Sequence, residues 1–259
     1  MRKSAYSMPF FALLAGACGY YLRLIESASV FDRVSGLPQR GAAITLALII
    51  LSILFLIIIL LYTLRLGSRY SSPEGFHEAF GTEPLAYPFI FIVVGIAWLG
   101  ATIKYLFEQR LLGSLPFSEI CFIVLSALSA ISLTLFAVEM YQDAHSKSRL
   151  ALSIVPTIFM CYWLILFYSR NSANPILLGY GYQCLAIISS TLGFYFTSGF
   201  VYNKPAPGRT IFAFFAAVFF CFVTLADNHP VSIKIIFVVL IVVNVVYSSM
   251  LIGRMQKKA

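Results

Sequence analysis

The run Ile49-Ile50-Leu51-Ser52-Ile53-Leu54-Phe55-Leu56-Ile57-Ile58-Ile59-Leu60-Leu61 decides the fold. It carries a single polar side chain and no alternation of apolar and polar positions. In water such a segment has no polar face to expose, and in lipid its backbone groups find partners only within a helix. The uncharged stretch reaches over 42–64. It is long enough for a hydrocarbon core of about 30 Å, which takes about 20 residues at ~1.5 Å each.

The same test applied outward finds seven further apolar stretches, giving spans near 8–25, 42–64, 84–106, 118–140, 150–169, 175–202, 210–226 and 231–252. Composition agrees: 60% of the chain is hydrophobic and 11% charged, with 24 Phe, 15 Tyr and 2 Trp. A soluble domain averages about half apolar and about one quarter charged, so a soluble domain, a disordered chain and a collagen-like repeat are excluded. The sequence predicts one integral membrane domain over residues 1–259, an all-α polytopic transmembrane bundle of about eight spans. The first span carries a competing signal. Arg2 and Lys3, a short apolar run and Ala15-Gly16-Ala17 resemble a signal peptide, and cleavage there would leave seven spans. Against cleavage, Gly19–Leu22 prolongs the apolar run and Leu24-Ile25 resumes it, with the Arg23 stem free to snorkel outward. An uncleaved helix is predicted.

Basic residues near span ends set orientation. With the N-terminus inside, the inner segments hold 11 Lys and Arg and the outer segments 7, which predicts N- and C-termini in the cytoplasm. The net charge of +8 is scattered over many segments, so it reads as topogenesis and contact with anionic lipid heads. No basic groove for nucleic acid is visible.

Few residues are left for chemistry. Cys18, Cys121, Cys161, Cys184 and Cys221 lie within apolar spans without a Cys-x-x-Cys pair, and His77, His145 and His229 fall in three separate loops. No metal, haem or other cofactor site is expected. Paired His and Glu at helical spacing, repeated acidic residues for magnesium diphosphate and a Gly-x-Ser-x-Gly elbow are all missing. No carboxylate is placed at a midplane, where a proton-coupled carrier would hold one. An enzyme would have to work at the interface, from Glu108, Asp143 or Asp227 with His229. No catalytic residue is assigned. Lys104 and Glu108, four apart, form a candidate surface pair. In the segment 65–83, Phe76 and Phe80 are expected to rest on the membrane interface.

Two spans are more polar than anchorage requires. In the fourth, Ser126, Ser129 and Ser132 repeat every three positions and make a helix-packing stripe, as do Gly16 and Gly19 within Ala12–Gly19 of the first. The sixth opens at Asn174-Pro175 and contains Gly179-Tyr180-Gly181-Tyr182, read as an interfacial tyrosine belt and not an ion filter. If a small-molecule cavity exists, the sixth span facing the fourth and fifth is its place. Gln183, Tyr182, Ser190 and Tyr195 would supply hydrogen bonds, and Met160 and Trp163 the apolar lining. The competing reading is that these groups satisfy one another between helices.

The outer segment Phe31-Asp32-Arg33-Val34-Ser35-Gly36-Leu37-Pro38 and the block from Leu152 to Trp163 resemble an uncharacterised family of bacterial polytopic membrane proteins. That resemblance implies a bacterial cytoplasmic membrane and brings no substrate or catalytic residue. Two functional classes follow from the residues. One is a non-enzymatic binding or transport component for a neutral small molecule. The other is a structural or regulatory subunit that docks on another membrane protein, or on its own copies, through the small-residue stripes.

Overall fold

The computed structural model describes residues 2–30, 39, 41–71, 73, 75–81, 85–111, 113, 115–141, 151–173 and 176–257. The outer segment Phe31–Pro38, the Asn174-Pro175 opening of the expected sixth span, and the positions Asp143 and His145 lie outside them. Helices dominate: α1 (Arg2–Ser29), α2 (Ala43–Arg69), α3 (Phe76–Phe80), α4 (Ala86–Leu111), α5 (Phe117–Tyr141), α6 (Ile154–Asn171), α7 (Leu177–Val201), α8 (Pro207–Leu225) and α9 (Val231–Arg254). Seven of them, α1, α2, α4, α5, α7, α8 and α9, are long and apolar enough to cross a membrane. The chain is thus a multi-pass, all-α membrane bundle. The remaining long helix, α6, is 18 residues and ends in Ser169-Arg170-Asn171, which dilutes its apolar character; eight long helices therefore stand where eight spans were expected, with seven apolar enough to count.

Burial identifies the hub. Within the apolar windows, 72% of α8 and 67% of α9 are buried, against 22% of α2. α8 packs against α1, α2, α7 and α9, while α4, α5, α6 and α7 follow one another round the side and α4 closes onto α9. α2 stays at the periphery because only a narrow stripe, Leu48, Ser52, Phe55, Ile59, Thr63 and Leu66, faces protein. Most of its other Ile and Leu side chains, among them Ile50, Ile53, Leu54, Ile57 and Leu61, are exposed, as lipid contact demands.

Glycines set the closest approaches. A Cβ at Gly16 would lie 2.7 Å from the Phe222 ring, and one at Gly19 2.8 Å from Val223 Cγ2, so α1 meets α8 nearly backbone to side chain. At Gly95 a Cβ would run into Thr134 Cγ2, which brings α4 onto α5. Ser126, Ser129 and Ser132 of α5 are all buried, Ser126 against α4 and Ser132 donating to the Leu152 carbonyl ahead of α6. Ser126 accepts the Trp98 indole N–H at 3.0 Å and shares a hydrogen bond with Thr102 at 2.7 Å.

The short α3 differs from expectation. Phe76 and Phe80 do not rest on the interface; both are buried, with the Phe80 ring 5.3 Å from that of Phe200 and 5.2 Å from that of Tyr247. The helix plugs one end of the bundle. Beside it, Tyr70–Ser71 pairs antiparallel with Gln256–Lys257 and ties the ends of α2 and α9 together. We refer to this as the Lys257 end and to the opposite one as the Arg23 end.

Candidate functional site

Along α1 the buried positions Pro9, Ala12, Gly16, Gly19, Arg23, Glu26 and Val30 alternate at spacings of three and four. That 3.5-residue period is the seam of a helix lying along a neighbour. The seam carries Arg23 and Glu26 inward, so the expected outward snorkelling does not occur. Arg23 is 2% exposed and Glu26 0%. A buried guanidinium needs partners, since an unpaired one would cost several kcal/mol. Arg23 Nε donates to Asp227 Oδ1 at 2.7 Å, Nη1 to Glu26 Oε2 at 2.8 Å and Nη2 to the Gly179 carbonyl at 3.3 Å. One side chain thereby joins α1, the turn between α8 and α9, and the first turn of α7. The Tyr182 ring stands 5.4 Å from the guanidinium carbon.

Among the described residues this guanidinium bonds both carboxylates, and Glu26 Oε1, Asp227 Oδ2 and His229 Nε2 have no hydrogen-bond partner. Burial raises the Asp227 carboxyl above its ordinary value in spite of Arg23 beside it. Burial, reinforced by the positive charges of Lys234 and Arg23, pushes the His229 imidazole down to about 4. His229 is therefore neutral near pH 7, and its 3.9 Å approach to Asp227 Oδ2 is not an ion pair at that pH.

His229 also faces a cleft of about 200 Å³ at the same end, between α4, α5, α6, α7 and the start of α9. Trp163, Phe122 and Phe167 form its apolar wall, and Gln109, Asn171, Gln183 and His229 its polar lining. The charged residues at its edge are already engaged. Glu119 accepts the Tyr105 hydroxyl at 2.7 Å and pairs with Arg170, while Glu108, expected beside Lys104, accepts the Ser232 hydroxyl. Asn171 donates to the Phe167 carbonyl at 2.9 Å, which leaves its carbonyl oxygen. The Gln109 and Gln183 amides bond no other described residue. The cleft presents amide donors and acceptors and a neutral imidazole against aromatic rings.

No protein family, curated protein or solved structure matches the chain. Function must be read from this geometry alone.

Of the six residues expected to line a cavity, the fold brings Gln183 and Trp163 together, and His229, expected only beside Asp227, joins them. Tyr182, the next residue along α7, points to the Arg23 cluster on the other side of the helix. Ser190 is buried 3.8 Å from Cys221 Sγ, and Met160 is in the core. Tyr195 is 60% exposed and lies toward the Lys257 end. Such scattering follows from helix geometry, in which residues i and i+1 lie about 100° apart and only i, i+3 and i+4 share a face. Arg23, Glu26 and Asn171 were missed as a group. The signal was present for the first two: continuing the Ala12, Gly16, Gly19 spacing by four and then three residues lands on them. Among the described residues no group of His, Cys, Asp and Glu is arranged to hold a metal ion.

Proposed function

We propose that the protein is a non-enzymatic binding or transport component for a small, neutral molecule that forms hydrogen bonds along one edge and has an apolar or aromatic face. It acts in a bacterial cytoplasmic membrane with both termini in the cytoplasm. The observation that carries this reading is the cleft in which the amides of Gln109 and Gln183, bonded to no other described residue, and the neutral imidazole of His229 face Trp163 and Phe122. Among the described lining residues the one charged side chain, Arg170, is already paired with Glu119, which favours a neutral ligand. At about 200 Å³ the space suits one small molecule in place of several waters, each taking ~30 Å³. The excess of basic residues on the inner segments supports the orientation.

The alternative role, a structural or regulatory subunit, drew on the small-residue stripes. Those stripes are occupied within the chain, Gly16 and Gly19 by α8 and the serines by α4 and their own neighbours. They leave no surface for a partner there.

Thermal unfolding of the detergent-solubilised protein, followed against a panel of neutral amides and alcohols bearing one aromatic ring, tests the reading. A saturable rise in Tm is expected, abolished by Gln183→Ala and weakened at least tenfold by His229→Phe. If no member of the panel shifts Tm, or if Gln183→Ala leaves every shift intact, the cleft is not the site.

A further inference from the structure

At the Lys257 end, two open apolar grooves run side by side on the outside of the bundle. One, of about 550 Å³, lies between α2, α7 and α8, with Leu60, Leu64, Leu192 and Phe212 in its walls. The other, of about 410 Å³, lies between α6, α7 and the turn into α8, with Ile154, Tyr195, Tyr202 and Lys204. Phe196 and Arg209 belong to both. The grooves are thus two channels divided by one aromatic ring and joined at one cation.

Charge and length select an occupant. Arg209, in the first turn of α8, and Lys204, in the turn before it, make no side-chain hydrogen bond or ion pair with any described residue, and both are exposed. From Leu192 to the end of α7 at Val201 is nine residues, or about 13 Å of helix, close to half of a hydrocarbon core of about 30 Å. The first groove is as deep as one leaflet, and the second runs beside its outer part, from Tyr195 toward the turn. The cations sit where headgroups lie, and exposed Tyr202 is placed as an interfacial anchor.

We propose that this face holds one anionic two-chain phospholipid, its phosphate on Arg209 and Lys204 and its acyl chains in the two grooves astride Phe196. A basic pocket between membrane helices recognises such a headgroup by charge, and the paired grooves require two chains on one glycerol. Each groove alone would accept any lipid tail; the shared cation makes the pair specific.

Native mass spectrometry of the full chain in detergent micelles, titrated with dioleoyl phosphatidylglycerol or dioleoyl phosphatidylcholine, decides it. One phosphatidylglycerol should bind per chain at least tenfold more tightly than phosphatidylcholine. The double variant Lys204→Gln with Arg209→Gln should remove that preference, and Arg110→Gln, an exposed cation at the other end, should not. Single-chain lysophosphatidylglycerol should bind more weakly than the two-chain lipid. Equal binding of the two diacyl lipids, an equal loss with Arg110→Gln, or a second polypeptide filling the grooves in fixed ratio would each overturn the proposal. Both cations are exposed, and an unchanged Tm for the double variant confirms that it folds.

Discussion

Arg23 Nε and Asp227 Oδ1 are 2.7 Å apart in space and 204 residues apart in the chain. The bond fastens the first helix to the turn between the last two, and through Gly179 to α7, beside the cleft that Gln183 and His229 line. In water such a pair would contribute under about 1 kcal/mol. Here both groups are desolvated, so the cost of separating them is what matters.

Replacing Arg23 by Met should therefore cost about 3–5 kcal/mol, because Glu26 and Asp227 both lose the buried cation that they are bonded to. Asp227→Asn should cost far less, about 1 kcal/mol, since Glu26 still neutralises the guanidinium and the amide oxygen still accepts from it. Thermal unfolding in detergent of the two variants, with Arg23→Lys as a third, gives the comparison. Equal losses from Arg23→Met and Asp227→Asn would show that the cluster is not held by the guanidinium.

Acid should destabilise the protein through His229. The folded-state pKa of about 4 lies below the ordinary 6.5, so the unfolded chain binds the proton more readily. Stability is lost as pH falls through 6.5 toward 4, by at most about 3 kcal/mol. Asp227 works in the opposite sense, since its raised pKa contributes stability below 3.8 that is lost as pH rises through the folded value. Tm measured between pH 7 and 4 should fall less steeply in His229→Phe than in the native chain; parallel curves would contradict the buried neutral imidazole.

Two glycines of α4 should respond in opposite ways. Gly95→Ala meets Thr134 and the Ala130 carbonyl and should cost about 1–3 kcal/mol by overpacking. Gly100 has nothing within 4 Å of its would-be Cβ. Gly100→Ala should then be neutral or stabilising by up to about 1 kcal/mol, through helix propensity alone. A comparable loss at both positions would mean that α4 and α5 do not meet at Gly95.

Ser126→Ala should cost about 1–3 kcal/mol, the usual penalty when a buried donor loses its acceptor, here the Trp98 indole N–H. Ser189→Ala on α7 is the control, because Ser189 bonds only carbonyls of its own helix. A blue shift of tryptophan emission should accompany the first substitution and not the second, and an unchanged spectrum and Tm in Ser126→Ala would contradict the bond.

The sequence by itself determined the class of this protein. Runs such as Ile49–Leu61 have one viable conformation in lipid, so the helical type and rough limits of the long segments were legible. Tertiary structure decided which side of each helix is which. Arg23 was visible as a charge near the end of a span, yet whether it reached outward or inward depended on the register of α1 against α8, fixed by Gly16 and Gly19 at Phe222 and Val223. Likewise Tyr182 and Gln183 are adjacent in the chain and serve different sites, because a rotation of about 100° separates them and only the packed neighbours show what each one meets. The burial of Phe76 and Phe80 follows from α3 folding back into the bundle end, a long-range placement that local hydrophobicity does not encode.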